Sequence, residues 1–155
     1  MKVTKISKKC LDLITEFEGF YPKPYLCPAN VPTIGFGTTR YPNGNKIKLT
    51  DPEITRAKAL EYLAHDLIQF EKAVDALCVD TINQFQFDAL VSFAYNLGAT
   101  NLKNSTLLKK VNINPADPTI SLEFVKWNRA NGKILNGLTR RRRAEAQLYF
   151  STIFA

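Results

Sequence analysis

The chain has 155 residues, of which 45% are hydrophobic and 23% charged, and its 21 Lys and Arg against 14 Asp and Glu give a formal net charge of +7. That size and mixture fit one globular domain with a sizeable core and exclude intrinsic disorder as a class. No apolar run approaches the length of about 20 residues needed to cross a bilayer, which excludes a transmembrane segment.

The first twenty residues, MKVTKISKKCLDLITEFEGF, are basic at the start, but Asp12, Glu16 and Glu18 interrupt the apolar positions. The pattern predicts a helix and not a signal peptide. Ser7 is placed to cap it, Ile6 and Leu11 to staple it, and Gly19 to stop it. Leu11, Ile14 and Glu18 follow helical spacing, which sets Glu18 on the apolar side.

Residues 20–32 carry four prolines, at 22, 24, 28 and 32, which exclude helix and favour turns or edge strands. TIGFGTT then alternates, predicting a strand with Thr33, Gly35 and Gly37 on one side and Ile34 and Phe36 on the other. Small residues on one face leave room for a ligand. YPNGN at 41–45 signals a turn, and IKL after it a return strand.

TDPE at Thr50 combines a capping box with proline in the first turn. It opens a long amphipathic helix over about 52–78 through Ile54, Leu60, Leu63, Leu67, Phe70, Val74 and Leu77. A second box, Thr81 to Gln84, predicts a helix closed by Gly98. Shorter helices are expected at about 102–111 and from Pro118 to Trp127, the latter capped by Asp117. Asn131-Gly132 and Asn136-Gly137 mark loops, and a final helix runs from Leu138 or Thr139 to about Phe150. The fold class is therefore α+β and mostly α, with two lobes: a strand-bearing lobe near 20–50 and a helical lobe near 79–155, joined by the long helix. The N-terminal helix packs on the helical lobe within a single domain, and a cleft between lobes is a common ligand site.

Three cysteines, Cys10, Cys27 and Cys78, match neither a zinc pattern nor a disulfide framework and are expected as free thiols. Charge is uneven: residues 1–50 hold eight basic against three acidic, residues 51–100 three against eight, and residues 101–155 ten against three. If the two basic ends fold together, they make a positive face suited to an anionic polymer.

Among candidate chemical groups, Glu18 alone is an ordinary helix-end carboxylate, but shielding on an apolar face is the condition a general acid needs. In TRRRRAE, a helix turning about 100° per residue cannot show four arginines on one side. Arg141 aligns with Ala144 and Leu148, and Arg142 with Ala146 and Tyr149, so one of them points inward and requires an acidic partner. Cys27 and Thr33 taken singly are a small hydrophobe and a strand residue. His65, the one histidine, has no metal or nucleophile partner at motif spacing and is structural. Trp127 is packing, and Asn96, Asn128 and Arg129 are candidates for a cleft wall.

Together, E18-GFYPKPYL-C27-PANVP-T33-IGFG, QFDALVSFAYNLG (86–98) and GLTRRRRAE (137–145) occur in an order that resembles the phage-type lysozymes, or endolysins, of glycoside hydrolase family 24. The resemblance covers nearly the whole chain. It implies a lysozyme-like fold and hydrolysis of the β-1,4 bond between N-acetylmuramic acid and N-acetylglucosamine in bacterial peptidoglycan. Glu18 matches the family's general acid, Cys27 its second catalytic position, Thr33 the threonine beside it, and Arg141 the arginine that pairs with the acid. Cys27 departs from the commoner aspartate; as a thiolate it could act as base, charge stabiliser or nucleophile, while Thr33 could position water. Inversion and retention both fit.

The resemblance further implies a monomer without metal or organic cofactor, used in phage-induced lysis. With no export signal, such a protein would accumulate in the host cytoplasm and reach the periplasm or wall after a holin opens the inner membrane. The alternative is a catalytically weak, lysozyme-like cationic protein that binds the wall or disrupts surfaces. No specific nucleic-acid recognition module is present.

Overall fold

The computed structural model describes residues 2–152; residues 153–155, part of the helical lobe as bounded from the sequence, lie outside them. The chain is mostly helical with small antiparallel strand pairs, as the α+β reading expects. Its elements are α1 (Lys8–Glu18), β1 (Tyr21–Leu26), β2 (Pro32–Gly35), α2 (Arg56–Leu77), α3 (Gln84–Leu97), α4 (Ala99–Lys103), α5 (Thr106–Ile113), α6 (Ile120–Val125), β3 (Arg129–Ala130), β4 (Lys133–Ile134) and α7 (Asn136–Tyr149). They divide into two compact units, Ile14–Ile68 and the remainder, with the divisions falling inside α1 and inside α2. No helix among the described residues is long and apolar enough to cross a membrane.

In the Ile14–Ile68 unit, β1 pairs antiparallel with β2 as an edge strand. Pro22 and Pro24 lie in the irregular stretch between the paired Tyr21 and Tyr25, where the missing N–H groups are tolerated, and the Pro22 carbonyl accepts the Ile54 N–H at 2.9 Å. The TIGFGTT strand does not run straight. After Gly35 (φ +70°) and through Gly37 (φ +98°) it folds back, with Ile34 and Thr38 exchanging backbone bonds of 2.9 and 3.0 Å. The small face at Gly35 does not admit a ligand either. A Cβ there would stand 3.1 Å from the Cβ of Ala59, so the glycine makes room for α2. The return strand at IKL shrinks to an isolated bridge between Arg40 and Lys46 and a 3.1 Å bond from the Ile47 N–H to the Thr39 carbonyl.

α2 begins at Arg56, later than TDPE suggests. Asp51 is already committed to closing the preceding loop: its carboxylate accepts the Tyr41 hydroxyl at 2.7 Å and the Lys48 N–H at 2.9 Å. Thr55 caps instead, accepting the Lys58 N–H at 3.1 Å. Along α2, Ala59, Leu63, Leu67, Glu71 and Val74 form one buried stripe at helical spacing.

In the other unit α3 is central, with every residue from Gln86 to Ala94 buried. Its capping box is Asn83 with Gln86, not Thr81 with Gln84, because the Gln84 amide is spent on the Lys5 carbonyl (2.8 Å) and Asp88 (2.9 Å). The helix expected over 102–111 is two, α4 and α5. Ser105 separates them by donating its hydroxyl to the Leu102 carbonyl (2.7 Å) and accepting the Leu108 N–H (3.0 Å). Asp117 binds the Thr119 N–H at 2.9 Å just before α6, which is shorter than expected. Asn131 and Gly132, both at positive φ, make a two-residue hairpin turn between β3 and β4, and Asn136-Gly137 lie in the first turn of α7, not in a loop. Phe93, Phe124, Trp127 and Tyr149 interlock edge-on or tilted, with centroids 5.6–5.9 Å apart.

Candidate active site

The Ile14–Ile68 unit holds Glu18, Cys27 and Thr33 together. Glu18 is the last residue of α1 and is half-buried, one turn beyond the fully buried Ile14. Gly19, at φ +75°, ends the helix by donating its N–H to the Thr15 carbonyl at 3.2 Å and turns the chain into β1.

Tyr21 and Tyr25 stack with centroids 4.3 Å apart. Four residues of regular strand would separate them by about 13 Å. The register break between them bends β1 sharply, and the bend brings Tyr25 back toward the helix end. Burial, followed by the charges of Tyr21, Glu18 and Cys27, pushes the Tyr25 phenol up, so both Glu18 and Cys27 lie within electrostatic range of its hydroxyl. Sequence reasoning missed Tyr25. The paired prolines around Lys23 were the available signal that this strand could not be regular.

Cys27 opens the loop between β1 and β2. Its N–H donates to the Val31 carbonyl at 3.1 Å, and Asn30, in the left-handed region, lets the chain reverse. The reversal turns backbone donors toward the sulfur: first the Val31 N–H, then that of Ala29, with the Thr33 hydroxyl adding to them, hold the Cys27 thiol below its ordinary range. Thr33, buried in β2, has one hydroxyl proton, which serves either the Val31 carbonyl at 2.8 Å or, when the hydroxyl turns, the Cys27 sulfur. The other cysteines behave oppositely. Burial pushes Cys10 well above the thiol range and Cys78 up to about 12.

Arg141 sits on α7 in the other unit. The four arginines do divide, but two point inward: Arg141 and Arg142 are buried, while Arg140 and Arg143 face solvent. Within that unit Glu145 joins them. Its carboxylate lies 3.4 Å from Arg141 Nε and 2.8 Å from Arg142 Nε, and accepts the Ser92 hydroxyl at 2.6 Å. The Arg142 Nε contact is a close ion contact and not an aligned hydrogen bond, but Arg142 Nη2 donates to the other Glu145 oxygen at 3.2 Å. Arg142 also donates to Asn96 at 2.7 Å and lies 5.2 Å from the Phe93 ring centre. Burial holds Arg142 down to about 10 and pushes Glu145 up against the pull of Arg142 and Arg141. Asn96 is thus used internally, as are Asn128, bonded to the Thr139 hydroxyl, and Arg129, bonded to the Gly132 carbonyl. His65 is exposed on α2 and Trp127 is half-buried against Phe93.

A cavity of 540 Å³ between α6 and α7 is lined by Leu122, Val125 and Phe150 among others, but by none of the candidate residues; volume alone does not mark the chemistry. Among the described residues no three His, Cys, Asp or Glu side chains gather to hold a metal ion.

The sequence model of the family described as Phage lysozyme matches residues 15–145. The chain is 39% identical over 146 residues to an endolysin of Bacillus phage B103, covering 94% of this chain and 54% of that protein, so it spans about half the length of that relative. It is 37% identical over 150 residues to an endolysin of Acyrthosiphon pisum secondary endosymbiont phage 1, covering 94% and 98%. The solved endolysin from Escherichia coli O157:H7 phage FAHEc1 superposes with a TM-score of 0.87 at 36% identity, covering 97% of this chain and 96% of that one. On these matches the chain belongs to the phage lysozyme family.

Proposed function

We propose that this protein is a muramidase that hydrolyses the β-1,4 bond between N-acetylmuramic acid and N-acetylglucosamine of peptidoglycan in phage-induced lysis of a bacterial host. Family membership supports the reaction class and weighs against the non-catalytic, wall-binding alternative. The observation that carries the residue assignment is that Glu18, Cys27 and Thr33 all fall in the one unit around the bent β1, where Tyr25 stacks on Tyr21 beside the end of α1.

Glycosidic cleavage passes through an oxocarbenium-like state, so one group protonates the leaving oxygen while another serves the far face of the ring. Glu18, shielded at the end of α1, is the proton donor. Cys27, drawn toward thiolate by the N–H groups of its own loop, supplies the anion facing the developing positive charge. Thr33 positions water at that face by turning its hydroxyl from the Val31 carbonyl. Arg141 is the arginine that pairs with Glu18 and holds its carboxyl in place. The protein works as a monomer without metal or organic cofactor. It accumulates in the host cytoplasm and reaches the periplasm or wall when a separate holin opens the inner membrane.

The test is product analysis of purified peptidoglycan digested by the full chain. New reducing ends on N-acetylmuramic acid are expected; reducing ends on N-acetylglucosamine, or release of peptide without glycan cleavage, would overturn the reading.

A further inference from the structure

Beside the Cys27 loop, and wholly within the Ile14–Ile68 unit, lies a recess of 460 Å³. Val31, Pro32 and Ile47 give it apolar lining, and Asn30, Arg40 and Lys46 give it polar lining. Its volume is that of a small-ligand site.

Arg40 and Lys46 face each other across an antiparallel bridge, which puts two like charges side by side. Directly opposed like charges destabilise a strand pair. Among the described residues neither has an Asp or Glu within ion-pair distance, and Arg40 spends one N–H on the Gly44 carbonyl at 3.1 Å. General basicity does not account for the pair. The Ile14–Ile68 unit holds six basic and six acidic residues, while the other unit carries the whole excess, fifteen against eight. Two unpaired cations over an apolar lining therefore suit a ligand with carboxylates separated by small apolar groups.

Val31 and Pro32 line the recess and also belong to the segment between Cys27 and Thr33. The recess therefore shares its wall with the chain segment that links Cys27 to Thr33. We propose that this recess is a subsite for the stem peptide carried by the muramic acid of peptidoglycan: the peptide's carboxylates pair with Arg40 and Lys46 while its alanine methyl groups lie on Val31, Pro32 and Ile47. The assignment rests on the muramidase reading and adds a determinant of substrate choice to it.

Two measurements on the full chain test it, with the parent, Lys46→Gln and the Arg40→Gln/Lys46→Gln double variant. On stem-bearing peptidoglycan the double variant should raise KM about three- to tenfold and leave kcat within about twofold, the loss expected of exposed, charge-assisted contacts. On glycan strands stripped of their peptides by an amidase, parent and variants should be equal. An equal loss on stripped strands would overturn the proposal. If the double variant unfolds, Lys46→Gln, which leaves the Arg40 bond to the Gly44 carbonyl intact, should show the same substrate dependence at smaller size, and its absence would overturn the subsite.

The second measurement needs no catalysis. A soluble disaccharide-tripeptide should bind the parent more tightly than the bare disaccharide, and the double variant should lose that advantage. If the parent cleaves neither substrate yet shows this pattern, the muramidase reading fails and the subsite stands. Preference for poly(glycerol phosphate) over the muropeptide would mean a phosphate polymer site and overturn it.

Discussion

At the scale of single residues, Cys27 is the position where local backbone chemistry says most. A free thiol titrates near about 8.5. The N–H groups of Val31 and Ala29 and the Thr33 hydroxyl favour its anion, so the folded pKa is lowered and thiolate appears at lower pH than in an unfolded chain. Cys27 should then be the first of the three cysteines alkylated by iodoacetamide in the native protein, with the midpoint of its rate-against-pH profile below that of a cysteine peptide. Mass mapping of the labelled sites checks this; a midpoint at or above the peptide's, or faster labelling of buried Cys10 or Cys78, would contradict it. Glu18, Cys27 and Thr33 were singled out in the sequence because their spacing is a motif, and the structure puts all three in one unit. Tyr25 was not, since its approach depends on a bulge in β1, and the role of Gly35 was misread because the neighbour filling its missing side chain, Ala59, is 24 residues away.

At the scale of elements, the sequence revealed which segments are helical better than where they begin. TDPE at Thr50 and Thr81 to Gln84 looked like capping boxes, yet Asp51 within the first and Gln84 within the second are drawn to partners brought by the fold, Tyr41 for one and Lys5 for the other. Local patterns cannot rank such competing partners. The inward face of α7 was legible from the impossibility of exposing four successive arginines on one side, but its depth was not, because the acidic partner within that unit is Glu145 on the same helix. That cluster makes a sharp stability test. Glu145→Gln keeps the shape and an acceptor for Ser92 but leaves two buried guanidinium groups without a counter-charge inside α7. It should cost about 3–5 kcal/mol, the range for breaking a buried ion pair. Urea unfolding against the parent measures it, and a loss below about 1 kcal/mol, the surface-pair range, would show that the cluster is not held by charge.

At the scale of the whole molecule, the α+β, mostly helical class was legible from periodicity and proline placement. The distribution of charge took a different form from the one the linear sequence suggested. Three alternating stretches along the chain become one basic unit and one neutral unit, because in the neutral unit Glu16 and Glu18 of α1 and Asp51 and Glu53 ahead of α2 balance Lys23, Arg40, Lys46 and Lys48. The proposed attraction to an anionic wall therefore belongs to the unit built on α3 and α7, and the proposed proton transfer to the unit built on β1 and β2. The most direct test of that transfer is the kcat of Glu18→Gln on purified peptidoglycan, with thermal unfolding confirming an intact fold. The amide cannot give up a proton, so kcat should fall by about 10²–10⁴-fold, the usual contribution of a positioned acid. A folded variant that cleaves the glycan at the parental rate would contradict the account.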